Sequence, residues 1–145
     1  MARYTHVSDS KGRIILPAKL REGLGPVLYV TNSLDEAYLT IYTREQFENI
    51  RAQLNALPGT EPLARRLRRS IIGEALKVEP DAQGRISISD ELWQSIQVKP
   101  GDSVSLLDMG DSVQLCSEAH YQQERETEVP LSELDLSAYE IRGIL

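Results

Sequence analysis

The sequence predicts a mainly β protein with short helices, an α+β fold built from two similar halves. The first observation is a repeat, since "DSKGRIILP" begins at Asp9 and "DAQGRISIS" begins at Asp81. The second is that apolar residues fall at every second position after each Gly-Arg pair, which is the period of a half-buried strand. The third is that the turn pairs Gly25-Pro26 and Pro100-Gly101 follow soon afterwards, so the elements between them must be short.

Each copy of the repeat begins with residues that favour a tight turn. Asp9 and Asp81 can accept a hydrogen bond from a backbone N–H two residues further on, and Gly12 and Gly84 tolerate a positive φ. A strand follows each turn. A shift of 72 residues then aligns four apolar pairs along the two copies: Ile14 with Ile86, Leu16 with Ile88, Leu20 with Leu92, and Leu24 with Ile96.

A short helix is predicted after each of these strands. Pro17 suits the first helical turn because its missing N–H costs nothing there, and Ser89 suits the N-cap position in the second copy. Further strand-like runs follow at 27–30, 38–42, 104–107 and 113–116. Each half therefore reads as strand, helix, strand, turn and strand.

A helical connector is predicted between the halves. Thr43 and Gln46 form a capping box, and apolar residues recur after it at helical spacing up to Leu57. "PGTEP" at 58–62 ends this helix, and Leu63, Leu67 and Ile71 mark a second one. We place the first half at 3–47, the connector at 48–75, the second half at 76–121 and an acidic C-terminal tail at 122–145.

Composition limits the classes of function. No apolar run approaches the ~20 residues that a membrane helix needs, and the N-terminus lacks the apolar core of a signal peptide. A single cysteine, Cys116, excludes an internal disulfide and indicates the cytoplasm. The sequence contains no nucleophile elbow, metal cluster or phosphate loop. We therefore expect no enzyme activity, no cofactor or metal, no membrane association and no small-molecule substrate.

The charge is distributed unevenly along the chain. The net charge is −6, but residues 1–78 hold 12 basic and 8 acidic residues, a net of +4. Residues 79–145 hold 4 basic and 14 acidic residues, a net of −10. Because charges more than about 10 Å apart are largely screened at 0.1 M salt, a basic surface in the first half can bind nucleic acid despite the acidic second half.

Two segments resemble those of the MraZ transcriptional regulators, which carry two AbrB-like (SpoVT-AbrB) domains in tandem. They are "DSKGRIILPAKLREGLG" in the first half and "ARRLRRSIIGEALKVEPDAQGRISI", 64–88, between the halves. The resemblance covers roughly residues 3–121. It implies that the two AbrB-like halves pair within one chain as a swapped-hairpin β-barrel. This would explain the repeat, because one half cannot bury its apolar face alone.

The resemblance also implies a function and partners. It implies a sequence-specific regulator, typically a repressor, that binds double-stranded DNA at short direct repeats upstream of the cell-division and cell-wall gene cluster. It further implies a ring-shaped homo-oligomer, an octamer or larger, in the cytoplasm and associated with the nucleoid.

The residues expected to contact DNA are basic side chains in and around the repeat. Arg13 and Arg85 should lie on the outer face of the paired strands, and a guanidinium can bind a phosphate, or guanine O6 and N7, through two nitrogens. Gly12 and Gly84 would let the backbone approach the DNA closely. The full predicted set is Lys11, Arg13, Arg85, Arg3, Lys19 and Arg21, with Asp9, Gly12, Asp81 and Gly84 as turn residues. The second copy has the fewer basic residues, so we expect Lys11 and Arg13 to matter more than Arg85.

Three alternatives stay open on the sequence alone. Arg13 and Arg85 can serve only to pair with Asp9 and Asp81 and so fix the turns. The connector, with its four arginines between 65 and 69, has the outline of a helix-turn-helix DNA reader. The chain can also be an assembly module that binds no DNA, with both repeats purely structural.

Overall fold

The computed structural model describes residues 1–144. Its strands are β1 Arg3–Val7, β2 Arg13–Ile15, β3 Leu28–Asn32, β4 Leu39–Thr43, β5 Leu76–Val78, β6 Arg85–Ser87, β7 Ser103–Asp108 and β8 Ser112–Ser117. Its α-helices are α1 Ala18–Leu24, α2 Arg44–Asn55, α3 Pro62–Leu67, α4 Asp90–Ser95 and α5 Glu118–Thr127. A π-helical turn, Arg68–Gly73, continues α3, and a 3₁₀ turn spans Leu131–Glu133. The predicted mainly β fold with short helices is confirmed.

The strands form two antiparallel sheets that both join the two halves. The larger sheet has the order β1-β7-β8-β4-β3-β5, and the smaller consists of β2 and β6. The first strand of each half thus pairs with the other half, β1 with β7 and β5 with β3. Within the described residues β1 and β5 are edge strands, and β2 and β6 pair only with each other. The sheet is therefore open, and the predicted closed barrel is not confirmed.

The two-stranded sheet, which we call the ribbon (13–15 and 85–87), is held to the core by its inner face. Ile14 lies opposite Ile86 in the register, and both are buried. Leu16 and Ile88, which follow the two strands, are buried as well. Because side chains alternate along a strand, burial of Ile14 and Ile86 sends their neighbours to the outer face.

The predicted alignment of apolar residues in the two copies matches their burial. The helical pairs Leu20 with Leu92 and Leu24 with Ile96 all lie in one hydrophobic cluster shared by both halves. The predicted helix start at Ser89 is confirmed, since its hydroxyl accepts a hydrogen bond from the N–H of Leu92 at 3.3 Å. Pro17 occupies the N-cap position of α1, one residue before the predicted first turn.

The connector consists of α2, α3 and the π-helical turn. Thr43 caps α2 as predicted, accepting a hydrogen bond from the N–H of Gln46 at 3.1 Å. Phe47 stacks on Tyr29 of β3 with ring centroids 4.3 Å apart, which fixes α2 against the sheet. The predicted apolar stripe on the second helix is wrong at its start, because Leu63 is 68% exposed while Ile71 is buried. Of this stripe, the C-terminal residue Ile71 is buried in the protein and the N-terminal residue Leu63 is not.

The second half ends in α5, which runs across the predicted start of the tail at 122. Most of the side chains from 128 to 144 are exposed.

Cys116 on β8 is fully buried, and burial raises the pKa of its thiol to about 11. In the part of the chain that the structure describes, no helix is long and apolar enough to span a membrane. No cluster of metal-ligating side chains occurs among residues 1–144. The proposed domain limits stay a prediction.

Candidate nucleic-acid interface

The turn before β2 is organised by the carboxylate of Asp9. Its Oδ1 accepts hydrogen bonds from the backbone N–H groups of Lys11 and Arg13, both at 2.9 Å. Its Oδ2 accepts one from Nε of Arg13 at 2.7 Å. Gly12 has a φ of 74°, which closes the turn. One carboxylate therefore fixes both the backbone of the turn and the side chain of Arg13.

The turn before β6 has the same construction. Asp81 accepts from the N–H groups of Gln83 and Arg85 at 2.9 Å and from Nε of Arg85 at 2.8 Å. Gly84 has a φ of 78°. The ion pairs of Arg13 with Asp9 and of Arg85 with Asp81, which one sequence alternative predicted, are therefore present in both turns. Each ion pair uses Nε of its arginine and not the two terminal nitrogens.

The hydrogen bonds lower the pKa of both turn carboxylates. The pKa of Asp9 lies below its usual value, chiefly because the N–H of Arg13 donates to the carboxylate, with the Arg13 side chain and the N–H of Lys11 adding to the effect. The pKa of Asp81 is lowered in the same way, first by the N–H of Arg85. Both turns therefore favour the charged form of the aspartate.

These shifts predict how acid affects the turns. A carboxylate whose pKa is depressed in the folded state stabilises the protein above its unfolded pKa, and this stabilisation is lost as the pH falls through the folded pKa. We expect the wild type to be more stable than Asp9→Asn at pH 6, with the difference shrinking below about pH 4. Urea unfolding midpoints across this range would measure it. Asp111→Asn, in an exposed turn, is the charge-matched control, and a difference from wild type that does not vary with pH would contradict the prediction.

The outer face of the ribbon presents both arginines together. Arg13 lies opposite Ser87, and Arg85 lies opposite Ile15. The two arginines are thus diagonal neighbours, with Cα atoms about 7–8 Å apart. Ile15 is 48% exposed between them. The face therefore presents two guanidinium groups, each paired with an aspartate, and one exposed apolar residue.

Each guanidinium has spare hydrogen-bonding capacity. Nε of Arg13 and Nε of Arg85 are used by the aspartates, but their terminal nitrogens have no hydrogen-bond partner within residues 1–144. The two side chains remain about one-quarter exposed. A guanidinium oriented by a carboxylate at Nε can still offer its two terminal NH₂ groups to an acceptor pair. The ion pair and a DNA contact are therefore compatible.

The two glycines, besides adopting the positive φ of each turn, leave room for side chains of the other half. A Cβ on Gly12 would lie 3.2 Å from Nε1 of Trp93, and a Cβ on Gly84 would lie 2.6 Å from Cζ of Arg21. The space next to each glycine is thus filled by a side chain from the helix of the other half. The expectation that Gly12 and Gly84 let the backbone approach DNA stays a prediction.

A basic side chain of the first half lies at the turn of the second half. Arg21 comes from the first half, but its guanidinium lies over Gly84 in the second turn, where Nε donates to the carbonyl of Leu16 at 3.0 Å. In the first turn, Asp90 of α4 lines the same depression as Gly12. The second turn therefore has one more positive charge near it than its own sequence indicates.

The remaining predicted residues lie at different places. Lys11 is exposed in the first turn, and Lys19 is exposed on α1. Arg3 lies on β1 in the larger sheet, where its Nη1 donates to Glu118 at 2.9 Å and its guanidinium sits 4.6 Å from the Tyr121 ring centroid. The structure thus brings together Lys11, Arg13, Arg85 and Arg21 around the ribbon, and gives Arg3 an acidic partner elsewhere.

The connector arginines divide into two groups. Arg68 donates to the carbonyls of Leu54, at 2.9 Å, and of Leu57, and so caps the C-terminus of α2. Arg65 donates to the carbonyl of Gly59 at 3.1 Å. Arg66 and Arg69 are exposed, and neither makes a hydrogen bond or an ion pair within the described part of the chain. Two of the four arginines, Arg65 and Arg68, therefore stabilise the connector.

Trp93 is a residue of the interface that the motif search missed. Its Nε1 donates to the carbonyl of Gly12 at 2.9 Å, across the boundary between the two halves. The repeat itself holds the signal, because the shift of 72 residues that aligns the turns places Trp93 on Arg21. The two positions that cover the glycines are therefore equivalent.

Comparison with known proteins gives consistent matches. A family model described as "MraZ protein, putative antitoxin-like" matches residues 1–70. A transcriptional regulator MraZ from Thermoanaerobacter sp. is 40% identical over 99 residues, 68% of this chain and 68% of the relative. Its counterpart from Coxiella burnetii is 37% identical over 122 residues, 81% of this chain and 79% of the relative. A solution structure of a protein from Pyrococcus horikoshii covers 80% of this chain at 16% identity, but its TM-score of 0.32 supports no conclusion.

Proposed function

Because this chain belongs to the MraZ family of transcriptional regulators, we propose that it reads DNA with the outer face of the ribbon and the two turns beside it. Membership in this family makes the protein a DNA-binding regulator and not an enzyme. The proposal concerns which surface binds, which DNA it recognises and in what assembly.

The observation that carries the proposal is the pair of arginines on one exposed ribbon face. A two-stranded ribbon fits the major groove of B-DNA, which is about 12 Å wide. Arg13 and Arg85, as diagonal neighbours, point from the same face of such a ribbon. In this arrangement each guanidinium can bind one of two nearby acceptor groups in the groove.

The aspartates make these contacts selective. A free arginine side chain loses much rotamer freedom when it binds, and this lost freedom weakens binding. Asp9 and Asp81 hold their arginines at Nε before DNA arrives, at 2.7 Å and 2.8 Å. The terminal nitrogens then approach in a fixed orientation, which favours guanine O6 and N7 over other acceptors.

Other basic side chains supply contacts that do not depend on sequence. Lys11 and Arg21 lie beside the ribbon, and Lys19 is exposed on α1. All three are proposed to bind phosphates, which position a protein on the duplex. We leave Arg3 out of this surface because Glu118 and Tyr121 already engage it. The acidic residues of the second half do not oppose binding where they lie more than about a Debye length away.

The proposed target and assembly follow from the family resemblance. One ribbon offers few base contacts, so a single chain should bind weakly. A ring of chains, an octamer or larger, that engages short direct repeats would gain avidity of about 10²–10⁴. The proposed target is the cell-division and cell-wall gene cluster, with the protein in the cytoplasm and associated with the nucleoid.

Fluorescence anisotropy tests this function directly. Labelled DNA from upstream of the protein's own gene is compared with a scrambled duplex across a salt series, with light scattering to measure the subunit number. The proposal expects preference for the upstream DNA that grows with the number of intact repeats. Equal, weak and steeply salt-dependent binding to both duplexes would instead favour an assembly module that does not read this DNA.

The connector offers a separate test of the helix-turn-helix alternative. Arg66→Ala with Arg69→Ala removes the two arginines that make no bond within the described residues, so the fold should be retained. We expect the preference for upstream over scrambled DNA to stay within about twofold of wild type, with at most a smaller salt slope. Loss of the preference in this double variant, with assembly intact, would favour reading through the connector.

A further inference from the structure

The peptide that joins Gly12 to Arg13 is fixed at both ends. Its carbonyl oxygen accepts two hydrogen bonds, from Nε1 of Trp93 at 2.9 Å and from the N–H of Ile88 at 3.1 Å. Its N–H donates to Oδ1 of Asp9 at 2.9 Å. Because Arg13 projects from this peptide, its direction depends on these three bonds.

The equivalent peptide in the second turn has one bond fewer. The carbonyl of Gly84 accepts from the N–H of Leu16 at 2.9 Å, and the N–H of Arg85 donates to Asp81 at 2.9 Å. Arg21 covers Gly84, but its Nε donates to the carbonyl of Leu16 and not to the turn. The extra bond in the first turn therefore comes from the indole.

The indole is well placed to hold the turn. Trp93 is only 4% exposed and packs in the shared hydrophobic cluster, so its ring cannot move freely. Its Nε1 and Cδ1 would lie 3.2 Å and 3.4 Å from a Cβ at Gly12, which places the ring edge directly against the glycine. A buried N–H without its acceptor is unfavourable, so the bond to Gly12 is strongly preferred.

We infer that Trp93 is a positioning residue for DNA reading: from the second half of the chain, it fixes the direction of Arg13 in the first. This inference rests on the proposed function, because it concerns the same DNA-reading face. It implies that the two arginines are unequal readers. Arg13 follows a peptide that is fixed by three hydrogen bonds, and it should discriminate bases. Arg85 follows Gly84, which Arg21 covers, and it should contribute more to sequence-independent binding.

Three variants separate positioning from a general effect on the fold. Trp93→Phe keeps a buried aromatic ring and removes the donor. Trp93→Arg introduces the residue that the repeat has at the equivalent position, which makes the first turn resemble the second. Ile96→Val, a small change in the same buried cluster, is the control for loss of packing. Circular dichroism and light scattering check that each variant folds and assembles.

The expected results differ among the variants. Trp93→Phe should lower affinity for the upstream DNA about 3- to 10-fold, with scrambled DNA and the salt slope unchanged. Trp93→Arg should lose the same discrimination but bind scrambled DNA more tightly, with a steeper salt slope, because it adds a positive charge. Ile96→Val should bind both duplexes as the wild type does.

Amide hydrogen exchange without DNA supplies a readout independent of binding. The N–H of Arg13 should exchange faster in Trp93→Phe than in the wild type, while the N–H of Arg85 should be unchanged. If wild type discriminates the two duplexes and Trp93→Phe does so equally well, the inference is wrong and the proposed function stands. If the wild type itself does not discriminate, the proposed function fails and the inference fails with it.

Discussion

Replacing Arg13 with alanine is expected to lower affinity for the upstream DNA by about 5- to 150-fold and to reduce the preference over scrambled DNA. This range corresponds to about 1–3 kcal/mol, the discrimination typical of one bidentate arginine–guanine contact. The effect is expected because Asp9 orients the guanidinium while its terminal nitrogens have no partner within residues 1–144. Anisotropy with both duplexes measures it.

Two further substitutions make the result specific. Arg85→Ala should weaken binding to both duplexes with a smaller change in preference, because Arg21 adds a second guanidinium at the neighbouring Gly84. Arg51→Ala removes one positive charge from α2, where Arg51 pairs with Glu48, and should leave binding unchanged. If Arg51→Ala lowers affinity as much as Arg13→Ala, the effect is one of overall charge and the assigned surface is wrong.

Truncating Ile14 to alanine should give the largest loss of stability, about 2–5 kcal/mol in the free energy of unfolding. Ile14 is fully buried and faces Ile86 across the ribbon, so the truncation leaves a cavity where the two halves meet. The DNA-reading face would lose its support at the same time. Urea unfolding followed by circular dichroism measures the change.

The next residue along the chain provides the matched control. Ile15 is the same side chain on the same strand, but it is 48% exposed on the outer face. Ile15→Ala should change the free energy of unfolding by no more than about 0.5 kcal/mol. Equal losses for Ile14→Ala and Ile15→Ala would show that the ribbon is not held by its inner face.

Local patterns in the sequence predict most of the elements. The alternation after each Gly-Arg pair identifies β2 and β6, and the same shift of 72 residues correctly pairs the buried residues of the two copies. The caps at Thr43 and Ser89 are predicted because their hydrogen bonds involve only neighbouring residues. These features depend on short stretches of chain, which is why sequence reasoning finds them.

Other features depend on contacts between distant residues. β1 alternates exposed and half-buried residues with no strong apolar face, and β5 has only three residues, so neither stands out in the sequence. The open sheet results from pairing between the halves, which no local pattern specifies. Leu63 fits a helical stripe by spacing, but nothing in the described structure covers it.

The candidate site shows the same division. Arg13, Arg85 and their aspartates are predicted because each pair lies within one turn. The fillers of the glycine positions are not predicted, because Trp93 and Arg21 reach their glycines from the opposite half. Arg21 counts with the first copy in the sequence, whereas the structure places its charge at the second turn.

Hydrogen exchange of the wild-type protein, with and without the upstream DNA, shows directly whether the ribbon and its turns bind DNA. Exchange measured by mass spectrometry locates the surface that DNA protects without changing any residue. If the ribbon reads DNA, we expect slower exchange in segments 9–16 and 81–88, with no change in 62–73. Protection confined to 62–73, with the ribbon and its turns unaffected, would contradict it.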